Sequence, residues 1–294
     1  MPMLAERRRQ QQPASTAMGK KRPMAKAEEL RTYIIKGGEE GRSRLALISR
    51  VLAPATRALL DRFEPLNGML ALDAGCGGGD VSFELAARVG SNGRVVGFDL
   101  DEAKLAAARE EAANRGLANV AFHQASVLDP WPVSGAALVY IRFVLTHLAR
   151  PEEVLARARA ALAPGGVLIV EDIDYAGQFC DPPCPAVDRY RELFVATLKA
   201  RGGDPFIGRR LVRLLESAGF ANVDTCLVQP FGRSRDVKQT TSLTMAAIAE
   251  AIMTSGIASA EEVDHVTREI KAFADRSDTT ISLPRIFQAW GRTT

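Results

Sequence analysis

The sequence predicts an α/β protein built on a doubly wound, mostly parallel, seven-stranded sheet with helices on both faces. Short apolar runs of strand length alternate with amphipathic stretches of helix length between residues 69 and 171. This alternation is typical of parallel strands that are joined by crossover helices. Apolar residues make up 47% of the chain and charged residues 25%, the balance of a globular protein with a sizeable core. The expected architecture is therefore Rossmann-like.

The first strand–helix unit sets the pattern that the core repeats. Residues 69–73 form a short apolar run that ends in glycines, and the amphipathic helix 81–89 follows it. The predicted elements that follow are strand 94–99, helix 102–115, strands 120–124 and 136–141, helix 152–162 and strand 166–171. Pro164-Gly165-Gly166 predicts a break immediately before the last of these strands.

The flanking segments predict further helices. Helical spacing over residues 27–63, interrupted by Gly37, Gly38 and Gly41, predicts two helices joined by a glycine turn. Beyond residue 174 we expect helices at 186–201, 208–218, 238–254 and 261–274, and strands at 223–230 and 282–290. The chain then divides into a basic tail (1–29), an N-terminal helical cap (30–67), a ligand-binding Rossmann-like core (68–174), a substrate-site insertion (175–207), a core helix with the sixth strand (208–235), a C-terminal helical lid (236–279) and the last core strand (280–294).

Charge and cysteine content restrict the class of protein. Seven of the Lys and Arg residues fall within residues 1–29, against three Glu, so the net charge of +3 comes from this tail and the remainder is close to neutral, about −1. Its composition favours a solvated arm, and a nucleic-acid contact is the alternative. No apolar run reaches the roughly 20 residues that span a bilayer, and no secretory signal is recognisable. With only four scattered cysteines, the sequence favours a cytoplasmic protein without membrane contact.

The segment Leu72-Asp73-Ala74-Gly75-Cys76-Gly77-Gly78-Gly79-Asp80 predicts a nucleotide-like ligand. It follows a predicted strand and opens a helix, and its glycines let a ligand approach the backbone closely. Asp99 ends the next strand, where a carboxylate can accept both ribose hydroxyls of an adenosine. A nicotinamide dinucleotide motif would have glycine instead of Asp80. Negative charge beside the loop disfavours a pyrophosphate and favours the sulfonium and amino groups of S-adenosylmethionine.

This segment resembles motif I of the class I S-adenosylmethionine-dependent methyltransferases, and the resemblance covers about residues 69–172. It implies S-adenosylmethionine as the cofactor and a small-molecule methyltransferase as the type of enzyme. The cofactor contacts expected are Tyr33, Asp73, Gly75, Cys76, Gly77, Asp99, Leu100, Ser126, Val127 and Arg142. By this resemblance Leu100 lies near the adenine, and Ser126 and Val127 stand where the family usually has an acid facing the adenine amine. Tyr33 would close over the cofactor, with packing inside the cap as the alternative.

Two polar residues after the fourth strand are candidates for the chemistry. Methyl transfer requires in-line placement of the acceptor and, for some acceptors, a base. His147 is the preferred base, and a structural histidine on a helix face is the alternative. Arg142 contacts the cofactor or the substrate, or else pairs with Glu171 or Asp172.

The expected substrate contacts are His147, Asp172, Phe179 and Phe206. Asp172 follows the fifth strand, and the two phenylalanines belong to the insertion. No metal site is expected, because Cys180 and Cys184 lack the further ligands that a zinc site needs.

The sequence therefore predicts methyl transfer to a small natural-product or quinone-like acceptor, with no nucleic acid or membrane as partner. The additions to the core are apolar helices and loops instead of a basic groove. Two alternatives stay open: an RNA or protein methyltransferase that uses the basic arm, and a non-methylating protein, such as a cyclase, that binds the same cofactor. Homodimer formation and the choice of oxygen, nitrogen or carbon as acceptor atom also stay open.

Overall fold

The computed structural model describes residues 38–294, with the backbone alone at residues 38–40 and 42. The strands are β1 (Leu70–Ala74), β2 (Arg94–Asp99), β3 (Val120–Gln124), β4 (Ala136–Arg142), β5 (Leu162–Asp174), β6 (Cys180–Asp181), β7 (Ala221–Val228), β8 (Phe231–Gly232), β9 (Thr280–Ser282) and β10 (Arg285–Arg292). The helices are α1 (Gly38–Leu60), α2 (Asp80–Val89), α3 (Glu102–Asn114), α4 (Pro151–Ala161), α5 (Pro185–Ala200), α6 (Leu211–Ser217), α7 (Arg235–Thr254) and α8 (Ala260–Asp275).

Seven strands form one sheet in the order β3-β2-β1-β4-β5-β10-β7. The pairs among β1 to β5 are parallel, whereas β10 runs antiparallel to both β5 and β7. The chain builds outward from β1 to β3 on one side and then crosses to β4 on the other. This reversal opens a crevice at the carboxyl ends of β1 and β4, the usual ligand site of such sheets. The predicted seven-stranded, mostly parallel sheet is confirmed.

Helices cover both faces of the sheet because each presents an apolar stripe to it. On one face, α4 and α6 pack their buried leucines, valine and alanines against the inner strands. On the other face, the end of α1 and the buried side of α2 form a separate core with β1 and β4. The prediction of helices on both faces is therefore also confirmed.

A second core lies among α5, α7 and α8. Its buried residues include Tyr190 and Phe194 of α5, Met245 of α7 and Phe273 of α8. A small antiparallel sheet of order β6-β9-β8 borders this core. The sequence did not predict this sheet, because two-residue strands carry no periodicity.

Several boundaries differ from those predicted. Gly41 lies inside α1 instead of in a turn. Strand β5 begins at Leu162, earlier than predicted. Its pairing with β4 shifts register across the Pro-Gly-Gly segment, so this segment forms a bulge inside the strand, with Gly165 at a φ of +75°. A 3-10 turn at Ile207–Arg210 replaces the start of the predicted helix 208–218. Leu283 and Pro284 divide the predicted last strand into β9 and β10, since proline cannot donate to a sheet.

The predicted basic arm, residues 1–29, lies outside the described residues. Within residues 38–294, the helices are all too short or too polar to cross a lipid bilayer.

Candidate cofactor and acceptor site

The glycine loop is a fixed turn at the carboxyl end of β1. Gly75, Gly77 and Gly79 all have positive φ angles, of +73°, +53° and +84°. The amides of Gly75 and Cys76 both donate to the carbonyl of Phe98, at 2.8 and 3.0 Å, which ties the loop to β2. A Cβ atom at Gly75 would overlap the side chain of Val144. Glycine is therefore required there by both conformation and space.

Asp99 connects the end of β2 to this loop. Its Oδ2 accepts a hydrogen bond from the amide of Gly77, and its Oδ1 accepts one from the amide of Asp101, each at 2.9 Å. Every carboxylate oxygen can accept a second hydrogen bond, so the pair can still accept two hydroxyl groups of a ligand. Leu100 and Val127 line the cavity near this acid.

A buried acid and a cation stand on the other side of the loop. Burial raises the pKa of Asp73 to about 6, although the hydrogen bond from Ser82 Oγ (2.6 Å) and the charge of Arg142 oppose the rise. Burial likewise lowers the pKa of Arg142, and the charges of Asp80 and Asp73 oppose this shift. Asp80 and Asp73 are thus the acids that act on Arg142, instead of the Glu171 or Asp172 considered from the sequence. Two carboxylates around one guanidinium leave this end of the site suited to a cationic ligand.

One cavity of about 690 Å³ is lined by these groups and also by a more distant wall. Nine of the residues predicted from the sequence line it: Asp73, Gly75, Cys76, Gly77, Asp99, Leu100, Val127, Arg142 and His147. We call the distant wall the acceptor end; it is formed by Tyr175, Gln178, Tyr190, Phe194, Thr240, Thr241 and Thr244.

His147 lies in a 3-10 turn after β4 and lines the cavity. Burial, with smaller contributions from the charges of Arg44 and Lys104, lowers its pKa to about 3. The imidazole is therefore neutral at pH 7. A general base works best with a pKa near the working pH, so this environment makes His147 a weak base.

Four other predicted residues do not line the cavity within the described part of the chain. Ser126 is buried behind the wall, where its Oγ accepts from the amide of Leu128 at 3.0 Å. Asp172 accepts from the amides of Thr146 and Ile173, at 3.0 and 2.8 Å, and so fixes the turn that carries His147.

The two predicted phenylalanine contacts lie elsewhere on the molecule. Phe179 is 51% exposed and stacks on Phe231 at a centroid distance of 5.3 Å. Phe206 lies between the cations of Lys199 and Arg209, at 5.2 and 5.3 Å. Tyr33, the predicted aromatic cover, lies outside the described residues.

The structure also adds cavity residues that sequence reasoning missed. Arg44, Ile48 and Leu52 recur every four residues and line the cavity along one face of α1. Thr240, Thr241 and Thr244 are buried in α7, although threonine is a weak helix former. Buried threonines within a predicted helix are the signal that could have indicated a ligand wall.

A family model described as a methyltransferase domain matches residues 66–219. The chain belongs to this methyltransferase family. The resemblance to class I methyltransferases seen in the glycine loop is thereby confirmed.

Individual relatives of this methyltransferase agree with the assignment. Trans-aconitate 2-methyltransferase of Methylobacterium radiotolerans is 30% identical, over 74% of this chain and 85% of the relative. Aklanonic acid methyltransferase DauC of Streptomyces sp. strain C5 is also 30% identical, over 58% of this chain and 83% of the relative. Four further curated relatives are matched over less than half of their own length. A solved methyltransferase-like structure from Bacillus halodurans shares the fold at 19% identity, with a TM-score of 0.55 over 81% of this chain and 98% of its own.

The residues of the loop fit S-adenosylmethionine, the cofactor of this family. The glycines leave room for close approach to the backbone, and Asp99 retains lone pairs for a ribose. The carboxylates of Asp73 and Asp80 favour positive charge nearby, as a sulfonium or an amino group carries. The loop and these acids are therefore the part of the cavity where the residues suit this cofactor, and we call this part the cofactor end.

Proposed function

We propose that this protein transfers the methyl group of S-adenosylmethionine to a small organic acceptor of the natural-product or quinone-like kind. The continuous cavity carries the proposal, because a single space of about 690 Å³ connects the glycine loop with the acceptor end. Small-molecule sites commonly measure about 300–1,000 Å³ and combine apolar walls with a few polar groups. The molecules named for two relatives, aklanonic acid and trans-aconitate, are likewise small.

The proposed roles of the side chains follow from their positions. Bound S-adenosylmethionine supplies an electrophilic methyl group on a positively charged sulfur. Asp99 would orient the adenosine by accepting from its ribose, while Asp73 and Asp80 would stabilise the positive charge. The aromatic and hydroxyl groups of the acceptor end would exclude water and hold the acceptor in line with the methyl group. His147 would accept a proton only from an acceptor that is itself acidic, because its own pKa is low.

The test is a transfer assay with S-adenosylmethionine that carries an isotopically labelled methyl group. Purified protein is incubated with panels of phenols, quinones and carboxylic acids, and the products are analysed by mass spectrometry. We expect S-adenosylhomocysteine and a labelled small-molecule product in equal amounts. Titration calorimetry that finds no binding of S-adenosylhomocysteine but binding of a nicotinamide dinucleotide would refute the proposal.

The same assay separates the alternatives left open by the sequence. Label that appears only in added RNA or protein, and is lost on deletion of residues 1–29, would replace the small acceptor with a macromolecule. Acceptor conversion without release of S-adenosylhomocysteine would indicate a cyclase-like protein. We expect the deletion to leave small-molecule methylation unchanged, because the basic, polar composition of residues 1–29 favours a solvated arm over an apolar wall.

A further inference from the structure

Arg44 brings a buried positive charge into the cavity. The residue lines the cavity from α1 and is only 8% exposed. Its Nε donates to Thr244 Oγ1 of α7 at 3.0 Å. Among the residues whose side chains the structure describes, the salt bridges all involve other cations, for example Arg50, Lys104 and Arg209. Burial of a guanidinium is costly unless an anion balances its charge, and an anionic ligand in the cavity would supply that balance.

The charge of Arg44 acts on the acceptor end of the cavity. Burial raises the pKa of Tyr190 to about 12, and the positive charge of Arg44 opposes this rise. The pKa of Tyr175 is also raised by burial and is opposed by the same charge. At the cofactor end, by contrast, Arg142 is the cation that acts on Asp73, and Lys104 is the one that acts on Cys76. Arg44 is therefore the cation that acts on the tyrosines of the acceptor end, and it acts on His147 together with Lys104.

A hydroxyl group of α7 holds Arg44 beside the acceptor end, where the hydroxyls of Tyr175 and Tyr190 lie 2.8 Å apart. Thr244 in turn accepts from Arg44 and donates to the carbonyl of Thr240 at 2.7 Å. Arginine adds a planar fork of donors that matches a carboxylate.

We propose, on the basis of the function proposed above, that the acceptor carries an anionic oxygen group such as a carboxylate, and that Arg44 binds this group at the acceptor end. This makes Arg44 a specificity-determining residue for organic acids. The neutral form of the same acceptor, such as its amide, loses the charge-assisted hydrogen bonds and binds more weakly.

The test uses protein saturated with S-adenosylhomocysteine and matched probes, each an aromatic or aliphatic carboxylic acid paired with its primary amide. Trans-aconitate and hydroxynaphthoic acids are included with their amides, and calorimetry measures the affinities. In the natural protein we expect at least one acid to bind about tenfold more tightly than its amide. Arg44→Met should abolish this preference, and Arg44→Lys should retain part of it.

The matched control is Arg50→Met, on the same helix. Arg50 is exposed and pairs with Asp236 of α7 at 3.1 Å, outside the cavity, so its replacement should leave the acid preference intact. Acids that bind no better than amides to the natural protein would overturn the inference. So would a tenfold loss of S-adenosylhomocysteine affinity in Arg44→Lys with the acid preference unchanged, because Arg44 would then serve the cofactor. Failure of the proposed function would appear in the transfer assay instead, as the absence of a labelled small-molecule product.

Discussion

Replacing Asp99 by asparagine tests whether this carboxylate binds the cofactor. In the structure its two oxygens accept from the amides of Gly77 and Asp101, both at 2.9 Å. Asparagine keeps one oxygen, but its NH₂ group then faces an N–H donor, so one of these bonds is lost. The negative charge that would accept from the ribose hydroxyls is lost as well.

The expected loss of affinity follows from the hydrogen bonds that Asp99→Asn removes. A hydrogen bond to a charged group contributes about 1.5–3 kcal/mol, so we expect the affinity for S-adenosylhomocysteine to fall by about 10- to 150-fold. Titration calorimetry with S-adenosylhomocysteine and with adenosine measures the effect. Because the contact is with the ribose, both ligands should lose affinity by a similar factor.

Asp101→Asn is the matched control, since it changes the same group two positions away. Asp101 caps α3 by accepting from the amides of Ala103 and Lys104, and asparagine caps helices equally well. The affinity of Asp101→Asn for S-adenosylhomocysteine should stay within about twofold of that of the natural protein. Equal affinity in Asp99→Asn and the natural protein would refute the ribose assignment, and so would a loss for S-adenosylhomocysteine without any loss for adenosine.

Three further predictions concern the loop, the buried acid behind the site and the histidine. Gly75→Ala should lower the free energy of unfolding by about 1–3 kcal/mol in urea titrations. Gly116 also has a left-handed backbone, but no atoms lie near its Cβ position. Gly116→Ala should therefore lower the free energy of unfolding by less, because it adds no overlap such as that with Val144. Burial raises the pKa of Glu171 from 4.5 to about 7, so the folded state keeps a proton that the unfolded state releases. This group alone should lower the free energy of unfolding by about 3 kcal/mol as the pH rises from 4.5 to 7. Glu171→Gln should flatten this slope, and a slope identical to that of the natural protein would contradict the assignment. The rate of turnover should show no ionisation of His147 near pH 6.5, because its pKa is lowered to about 3. A change of rate near pH 6.5 that is absent in His147→Gln would show that the imidazole is not held neutral.

The parts of the fold that depend on local patterns could be predicted from the sequence. Strands β2 and β3 have the predicted bounds, because each is a short apolar run between clear breaking residues. The glycine loop was predicted for a similar reason, since positive φ angles at Gly75 and Gly77 leave a direct mark on the sequence.

Contacts between distant segments could not be predicted in this way. Arg44 and Thr244 are 200 positions apart, and only the packing of α1 against α7 brings them together. Asp172 was expected to contact substrate because it follows the predicted fifth strand, 166–171, but adjacent amides satisfy its carboxylate. Position at a strand end thus indicates proximity to the site, while the direction of a side chain depends on the tertiary structure.

The distribution of charge along the cavity links the two proposals physically. Asp73, Asp80 and Asp99 place negative charge around the glycine loop, whereas Arg44 places positive charge beside Thr244 of the acceptor end. A cationic sulfonium and an anionic acceptor would each be attracted to a different end, and each would be repelled from the other. Because the effective dielectric is lower inside a cavity than in water, this opposition would orient both molecules before any specific contact forms. Replacing Arg44 by an acidic residue would therefore weaken the binding of an acidic acceptor far more than the binding of the cofactor. The matched acid and amide probes would show this difference.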